Sequence, residues 1–396
     1  MDKIDELLTR GVDKVYPSKD ALEKVLRSGK KLKLYQGFDP TGTQLHIGHM
    51  TGLRKLAQFQ NLGHHVIFLI GDGTGQAGDP SGKLTGRDKF LTQEELRKNA
   101  KDYVEQAGKI VRFDGHNPVE ILYNGDWLNK LTLPDLLEIA GHFSLQQLEE
   151  RDLFEERKKR GESINFREFQ YPLLQAYDSV AMKVDLEIGG SDQTFNMLAG
   201  RQLVAAMQGG EKFVLTTPLL TDSQGRKIGK PEGNIIALMD PANELFGKIM
   251  SLSDDIIIKA FEYLTDVPME EITEMEEADN PMVNKKKLAL AIVSQLHAES
   301  DAQKAQEHFK KTVQGQETPE DIPVYRYTGQ TEVNILDLLT GSGLVKSKSE
   351  ARRLVEQGGV EIDGETINNL QLTVNVKDGM ILKAGKRKFV KLVVSS

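Results

Sequence analysis

The chain has 396 residues, 39% hydrophobic and 28% charged, with a mean hydropathy of −0.40, a make-up that excludes fibrous and disordered classes and leaves room for two or three globular domains. It contains no cysteine, which excludes disulfide frameworks, thiolate metal sites and thiol nucleophiles. A net charge of −8 argues against binding polyanions over the whole surface, so any contact with nucleic acid must be local.

The N-terminus opens Met1-Asp2-Lys3-Ile4-Asp5-Glu6, acidic where a signal peptide needs a basic patch and an apolar run, and the expectation is a cytoplasmic protein. Short β-prone runs then alternate with helical patterns: Lys33-Leu34-Tyr35, Val66–Ile70, Glu120–Tyr123 and Asp185–Ile188 between stretches such as Ile47–Leu62 and Asp192–Met207. The alternation predicts an α/β fold, a Rossmann-like parallel sheet with helices on both faces and ligands at the carboxyl ends of its strands. Residues 1–232 are assigned to that domain. Within it, residues of about 82–165 read as a helical insertion containing Gln93–Gln106 and Leu133–Arg151. Residues 233–320 read as a helical domain, 321–333 as a Pro- and Gly-containing linker, and 334–396 as a small α+β module with one helix at Ser349–Gln357. From Thr331 onward there are ten Lys/Arg against eight Asp/Glu, so the tail is the electropositive part.

Five stretches carry chemistry. Tyr35-Gln36-Gly37-Phe38-Asp39-Pro40-Thr41-Gly42-Thr43-Gln44-Leu45-His46-Ile47-Gly48-His49 runs from a strand through a turn into a helix start, where backbone N–H groups favour phosphate. His46 and His49 lie three apart on one face of that turn, and Gly48 leaves room for a flat ring. A metal-binding pair and two partly exposed polar residues are competing readings, though no third ligand of suitable spacing is evident. Gly71-Asp72-Gly73-Thr74-Gly75-Gln76-Ala77-Gly78-Asp79-Pro80-Ser81-Gly82-Lys83 contains a literal G-x-G-x-x-G, but Pro80 and Gly82 interrupt the helix that a dinucleotide site needs. A P-loop fails as well, with Ala77 and Leu84 at two of its required positions.

Tyr171, Gln175 and Asp178 recur at i, i+4 and i+7, so one helix face presents a phenol, an amide and a carboxylate, a stripe that ordinary surface helices also show. Ile188-Gly189-Gly190-Ser191-Asp192-Gln193 is a strand end with two glycines and an acid placed to bind a ribose or to cap the next helix. Gly225-Arg226-Lys227-Ile228-Gly229-Lys230-Pro231 is a basic loop able to close over a triphosphate, and a solvated loop would read the same.

Taken in this order, the stretches resemble the class I aminoacyl-tRNA synthetases, and among them the tyrosyl enzymes of bacteria. His46-Ile47-Gly48-His49 matches the family's first signature, and Lys227-Ile228-Gly229-Lys230-Pro231 is similar to its second, with Pro231 in place of the usual Ser/Thr. The resemblance implies activation of tyrosine with ATP and transfer to tRNA(Tyr) by a homodimer joined through the inserted region. It gives Tyr35 and Asp178 to the substrate phenol, and Asp79, Tyr171 and Gln175 to its ammonium. Asp39, Thr41, Gly48, Gly190, Asp192 and Gln193 go to ATP, and His46 and His49 to its phosphates. Lys83, Arg87, Lys227 and Lys230 go to departing pyrophosphate, with Mg2+ arriving on ATP. The tail around Lys348, Arg352 and Arg353 is similar to an S4-type RNA-binding module.

Overall fold

A computed structural model describes residues 2–79, 90–149, 152–222, 224–225, 228, 235–314, 322–328, 332–385 and 388–394. The chain divides into two compact units, Met1–Ala302 and Gln303–Ser396.

The first unit is built on a six-stranded sheet. Its strands are β1 (Lys14–Tyr16), β2 (Lys33–Phe38), β3 (His65–Ile70), β4 (Glu120–Tyr123), β5 (Leu186–Gly190) and β6 (Phe213–Thr217), in the order β1-β6-β5-β2-β3-β4. All neighbours run parallel except β1, which pairs antiparallel with β6 and was not expected from the sequence, nor was β6. In β3, Val66 to Ile70 are all buried, the near-continuous apolar run of a strand covered on both faces. The sequence order reverses direction between β2 and β5, so a crevice opens there at the carboxyl ends of the strands.

Two helices frame that crevice. The Ile47–Asn61 helix connects β2 to β3, and the Phe166–Met182 helix leads into β5. The second starts on a capping box, with Asn165 Oδ1 accepting from Arg167 N at 3.0 Å and Glu168 returning to the Asn165 N–H, and stops at Lys183 in a left-handed conformation, φ +53°. Its apolar side packs on the Thr194–Gln208 helix through Ala176, Val180, Ala199, Leu203 and Val204, all buried.

The region expected as one helical insertion is not a single block. The Gln93–Ala107 helix is followed by β4, an edge strand of the sheet, and Leu133–Arg151 breaks into helices Leu133–Gly141 and Leu145–Glu149. The break follows the sequence: Ser144 Oγ accepts from Gln147 N at 3.2 Å, so a serine begins the next helix.

From Ala242 the unit is helical, with helices Ala242–Met250, Ile257–Leu264, Met269–Glu277 and Pro281–Leu296. Two buried guanidinium groups fasten it to the sheet region. Arg10 donates to the carbonyls of Phe261, Glu262 and Thr265 at 3.2, 2.9 and 2.6 Å, and Arg54 donates to the Thr265 carbonyl at 2.5 Å. These carbonyls lie at the end of the Ile257–Leu264 helix, where that of Phe261 also accepts from Thr265 N at 3.2 Å.

In the second unit, a five-stranded sheet packs on helices Ile335–Gly341 and Lys348–Glu356 over Ile335, Leu338, Leu339, Ala351, Val355, Leu382 and Leu392. Within the stretch read as a linker, Val324–Tyr327 forms a strand parallel to Lys388–Val394. The alternation of a short Val-Tyr-Arg-Tyr run was masked by its flanking Pro and Gly residues.

Candidate functional site

Asp39 follows β2 directly, at the mouth of the crevice. Its Oδ1 accepts from Thr74 Oγ1 at 2.7 Å and its Oδ2 from the Tyr171 hydroxyl at 3.0 Å. Thr41 donates its N–H to the Asp39 carbonyl at 2.7 Å, which tightens the turn into the histidine helix. Gly71 faces this knot, and a Cβ there would overlap Asp39 Oδ1 and stand 2.5 Å from Thr74 Oγ1.

His46 is the cap of the Ile47–Asn61 helix rather than part of its first turn. Its Nδ1 accepts from Gly48 N at 3.2 Å, the Nδ1 of His49 accepts from His46 N at 3.1 Å, and the ring centroids are 4.0 Å apart. A nitrogen that accepts an N–H carries no proton, so each neutral imidazole holds its proton on Nε2. Gly48 is required here, because a Cβ would lie 2.9 Å from His46 Cε1.

The other end of the crevice is dry. Tyr35 and Asp178 are each 1% exposed. Asp178 Oδ1 accepts from Trp127 Nε1 at 2.8 Å and Oδ2 from Asn124 Nδ2 at 3.0 Å, while the Tyr35 hydroxyl meets Ser179 Oγ at 3.0 Å. Burial pushes the Asp178 carboxyl well above its ordinary range, against the pull of the Asn124 and Trp127 donors. Behind Tyr35, Lys212 Nζ donates to Ser179 Oγ at 2.7 Å and pairs with Glu187 Oε2, both ions fully buried.

Tyr171 and Gln175 line the wall between the two ends. Burial, with the charges of Asp39, Asp79 and Asp178 adding to it, pushes the Tyr171 phenol up. Gln175 donates Nε2 to Glu187 Oε1 at 2.9 Å, and its own Oε1 is buried with no hydrogen-bond partner. Asp79 Oδ2 accepts from Gln193 Nε2 at 2.8 Å, which links it to the strand end at Gly190. There the Asp192 carboxylate folds back, 2.6 Å from where a Cβ on Gly190 would be.

Hydrogen bonds join Tyr35 to Gln175 through Ser179, Lys212 and Glu187, join Asp39, Tyr171 and Asp178 through Thr74 and Asn124, and join Asp79 to Gln193, with His46 and His49 at the helix start after β2. Lys83, Arg87, Lys227 and Lys230 lie outside the described residues. Ile228, between the two loop lysines, donates its N–H to the Leu220 carbonyl at 2.7 Å. In the second unit Lys348, Arg352 and Arg353 are exposed on one helix, Lys348 pairing with Asp337.

Asn124, Trp127, Thr74, Ser179, Glu187 and Lys212 were not singled out from the sequence. Glu187 carried a signal, an acid inside the apolar strand Leu186-Glu187-Ile188, and so did Asn124, the first residue past a strand's carboxyl end.

The family model for class I tRNA synthetases (W and Y) matches residues 27–314, and the model for the SYY-like tyrosine–tRNA ligase C-terminal domain matches residues 314–392. The tyrosine–tRNA ligase of Dehalococcoides mccartyi is 42% identical over 99% of each chain, and that of Thermotoga maritima 43% identical over 98% of this chain and 96% of its own. A C-terminally truncated mitochondrial tyrosyl-tRNA synthetase of Coccidioides posadasii, 28% identical, superposes with a TM-score of 0.62 over 78% of this chain and 91% of its own. The tyrosyl-tRNA synthetase of Archaeoglobus fulgidus, solved with L-tyrosine, shares the fold at 21% identity and a TM-score of 0.61.

Proposed function

The chain belongs to the class I tRNA synthetases of the tryptophan and tyrosine type and is an ATP-dependent tyrosine–tRNA ligase, and on that premise we propose how its residues divide the work. Tyr35 and Asp178 read the substrate's phenolic hydroxyl, so an amino acid without it would give up hydrogen bonds to two buried polar groups. Asp79, Tyr171 and Gln175 receive the α-ammonium, the one ligand group that suits both the three nearby carboxylates and the unpaired Gln175 Oε1.

The substrate carboxylate attacks the α-phosphorus of ATP, forming an acyl-phosphate bond as the bond to pyrophosphate breaks. No proton moves at this step, so positioning and charge stabilisation supply the rate. Asp39, Thr41, Gly48, Gly190, Asp192 and Gln193 hold ATP, and His46 and His49 give their Nε2 protons as hydrogen bonds to its phosphates. Lys83, Arg87, Lys227 and Lys230 neutralise the leaving pyrophosphate. Both oxygens of Asp39 already accept hydrogen bonds and Asp79 accepts from Gln193, a ligand set that fits magnesium carried by the ATP phosphates rather than caged by the protein. A terminal hydroxyl of tRNA(Tyr) then attacks the tyrosyl carbonyl and releases AMP.

Residues 233–320 face the anticodon side, and residues 334–396 act as an S4-like module that meets RNA phosphates through Lys348, Arg352 and Arg353. A homodimer forms through the inserted region of about 82–165, where Leu133, Leu137 and Leu145 are 68%, 64% and 59% exposed. Among the described residues no helix is long and apolar enough to cross a membrane, and a cytoplasmic location fits the substrates.

The observation that carries the pocket assignment is the buried Asp178 carboxyl, accepting one N–H on each oxygen and adjoining Ser179, whose hydroxyl meets that of Tyr35. In tyrosine-dependent exchange of labelled pyrophosphate into ATP, Tyr35→Phe combined with Asp178→Ala abolishes the preference for tyrosine over phenylalanine. A folded double variant with that preference intact overturns the assignment.

A further inference from the structure

The buried ion pair behind Tyr35 has no part in the chemistry above, yet it touches both ends of the amino-acid pocket. Glu187 stands on β5 and Lys212 immediately before β6, and both are essentially inaccessible. Glu187 gives one oxygen to Lys212 and the other to Gln175 Nε2; Lys212 gives one N–H to Glu187 and another to Ser179 Oγ, which meets the Tyr35 hydroxyl. The neighbouring Thr194–Gln208 helix is shaped around them: a Cβ on Gly200 would stand 2.5 Å from Lys212 Nζ, 3.0 Å from Ser179 Oγ and 3.4 Å from Glu187 Oε2.

Building on the pocket assignment, we propose that the Glu187–Lys212 pair is a positioning unit for amino-acid recognition, setting the Tyr35 hydroxyl through Ser179 and the Gln175 amide directly. The polarity of each group fixes the outcome. An ammonium has donors and no acceptor, so Ser179 Oγ accepts from Lys212 and turns its own proton to the Tyr35 oxygen. With Ser179 donating to it, the Tyr35 oxygen keeps its own proton to give, to Glu187 beside it or to a substrate oxygen. A carboxylate paired with an ammonium is an acceptor alone, so Gln175 must show it the NH2 side. The amide oxygen is thereby held the other way, toward the ammonium of the substrate, which explains why a buried acceptor persists without a partner.

Stability gives no reason for such a pair, because apolar residues of like volume commonly replace a buried ion pair without loss. The two arms make different demands on substrates. The Ser179 arm concerns the phenol and should affect tyrosine against phenylalanine, whereas the Gln175 arm concerns the ammonium that both share.

The test is pyrophosphate exchange with tyrosine and phenylalanine on the full chain, for Tyr35→Phe, Ser179→Ala, Ser179→Thr and the double variant Glu187→Leu with Lys212→Met. Ser179→Ala is expected to lower the tyrosine-to-phenylalanine ratio of kcat/KM by about tenfold, mainly by raising KM for tyrosine, and Ser179→Thr to restore it. The double variant is expected to keep its melting temperature, lose the same selectivity and raise KM for both amino acids. Unchanged ratios and KM values in Ser179→Ala, or a fall in kcat alone, overturn the inference when Tyr35→Phe does lower the ratio. If Tyr35→Phe leaves the ratio untouched, the pocket assignment itself falls. Should the double variant not fold, the Ser179 variants decide.

Discussion

Asn124 joins two strand ends to the recognition helix: its Nδ2 donates to Asp178 Oδ2 at 3.0 Å while its carbonyl oxygen accepts from Gly73 N at 2.8 Å. Asn124→Ala strands a carboxylate oxygen and a backbone N–H, both buried. The expected cost is about 1–3 kcal/mol of unfolding free energy, read by urea titration. KM for tyrosine should rise about tenfold, because Asp178 loses the donor that holds it in place.

Gly71→Ala tests the knot around Asp39. The new methyl must push the Asp39 carboxylate off Thr74, and a shift of that kind near the reacting groups costs about 10²-fold in activation rate at low ATP. Single-turnover formation of the adenylate measures it. A wild-type rate would mean that Asp39 has no part in holding ATP.

His64 predicts a pH dependence of stability. Its Nδ1 accepts from Leu32 N at 3.1 Å, and burial lowers its pKa to about 4, with the nearby Lys31 charge adding to the shift. The unfolded chain therefore binds this proton more tightly than the native one. Stability from His64 is full above the unfolded value near 6.5 and is lost as pH falls from there to about 4, a change of roughly 3 kcal/mol. Denaturant unfolding of His64→Asn between those limits should show a shallower slope than the native sequence.

Replacing Lys348, Arg352 and Arg353 with Gln should weaken tRNA binding and leave tyrosine-dependent pyrophosphate exchange unchanged. The slope of log affinity against log salt concentration should become less negative by roughly 0.7–0.9 for each phosphate that is no longer neutralised. Filter binding over a salt series supplies the number, and an unaltered slope would move the RNA-binding surface elsewhere.

Much of this was legible in the sequence. Val66–Ile70 could be assigned as a strand because a run of β-branched and aromatic residues buried on both faces leaves an unbroken apolar pattern. Tyr171, Gln175 and Asp178 could be placed on one face because helical spacing is fixed. What stayed hidden were partners chosen by tertiary packing. Nothing in the local sequence says that Lys212 lies under Ser179, 33 residues earlier, or that Trp127 reaches Asp178 across 51. Strand β1 was missed because three residues at an edge carry almost no pattern, whereas Glu120–Tyr123 was read as β-prone although it fell inside a stretch otherwise read as helical.

The Arg10 guanidinium bears on how this polypeptide is made. The carbonyls it closes off lie 251 to 255 positions later. On a translating ribosome Arg10 therefore emerges long before these carbonyls, and its guanidinium stays solvated until the Ile257–Leu264 helix has been synthesised.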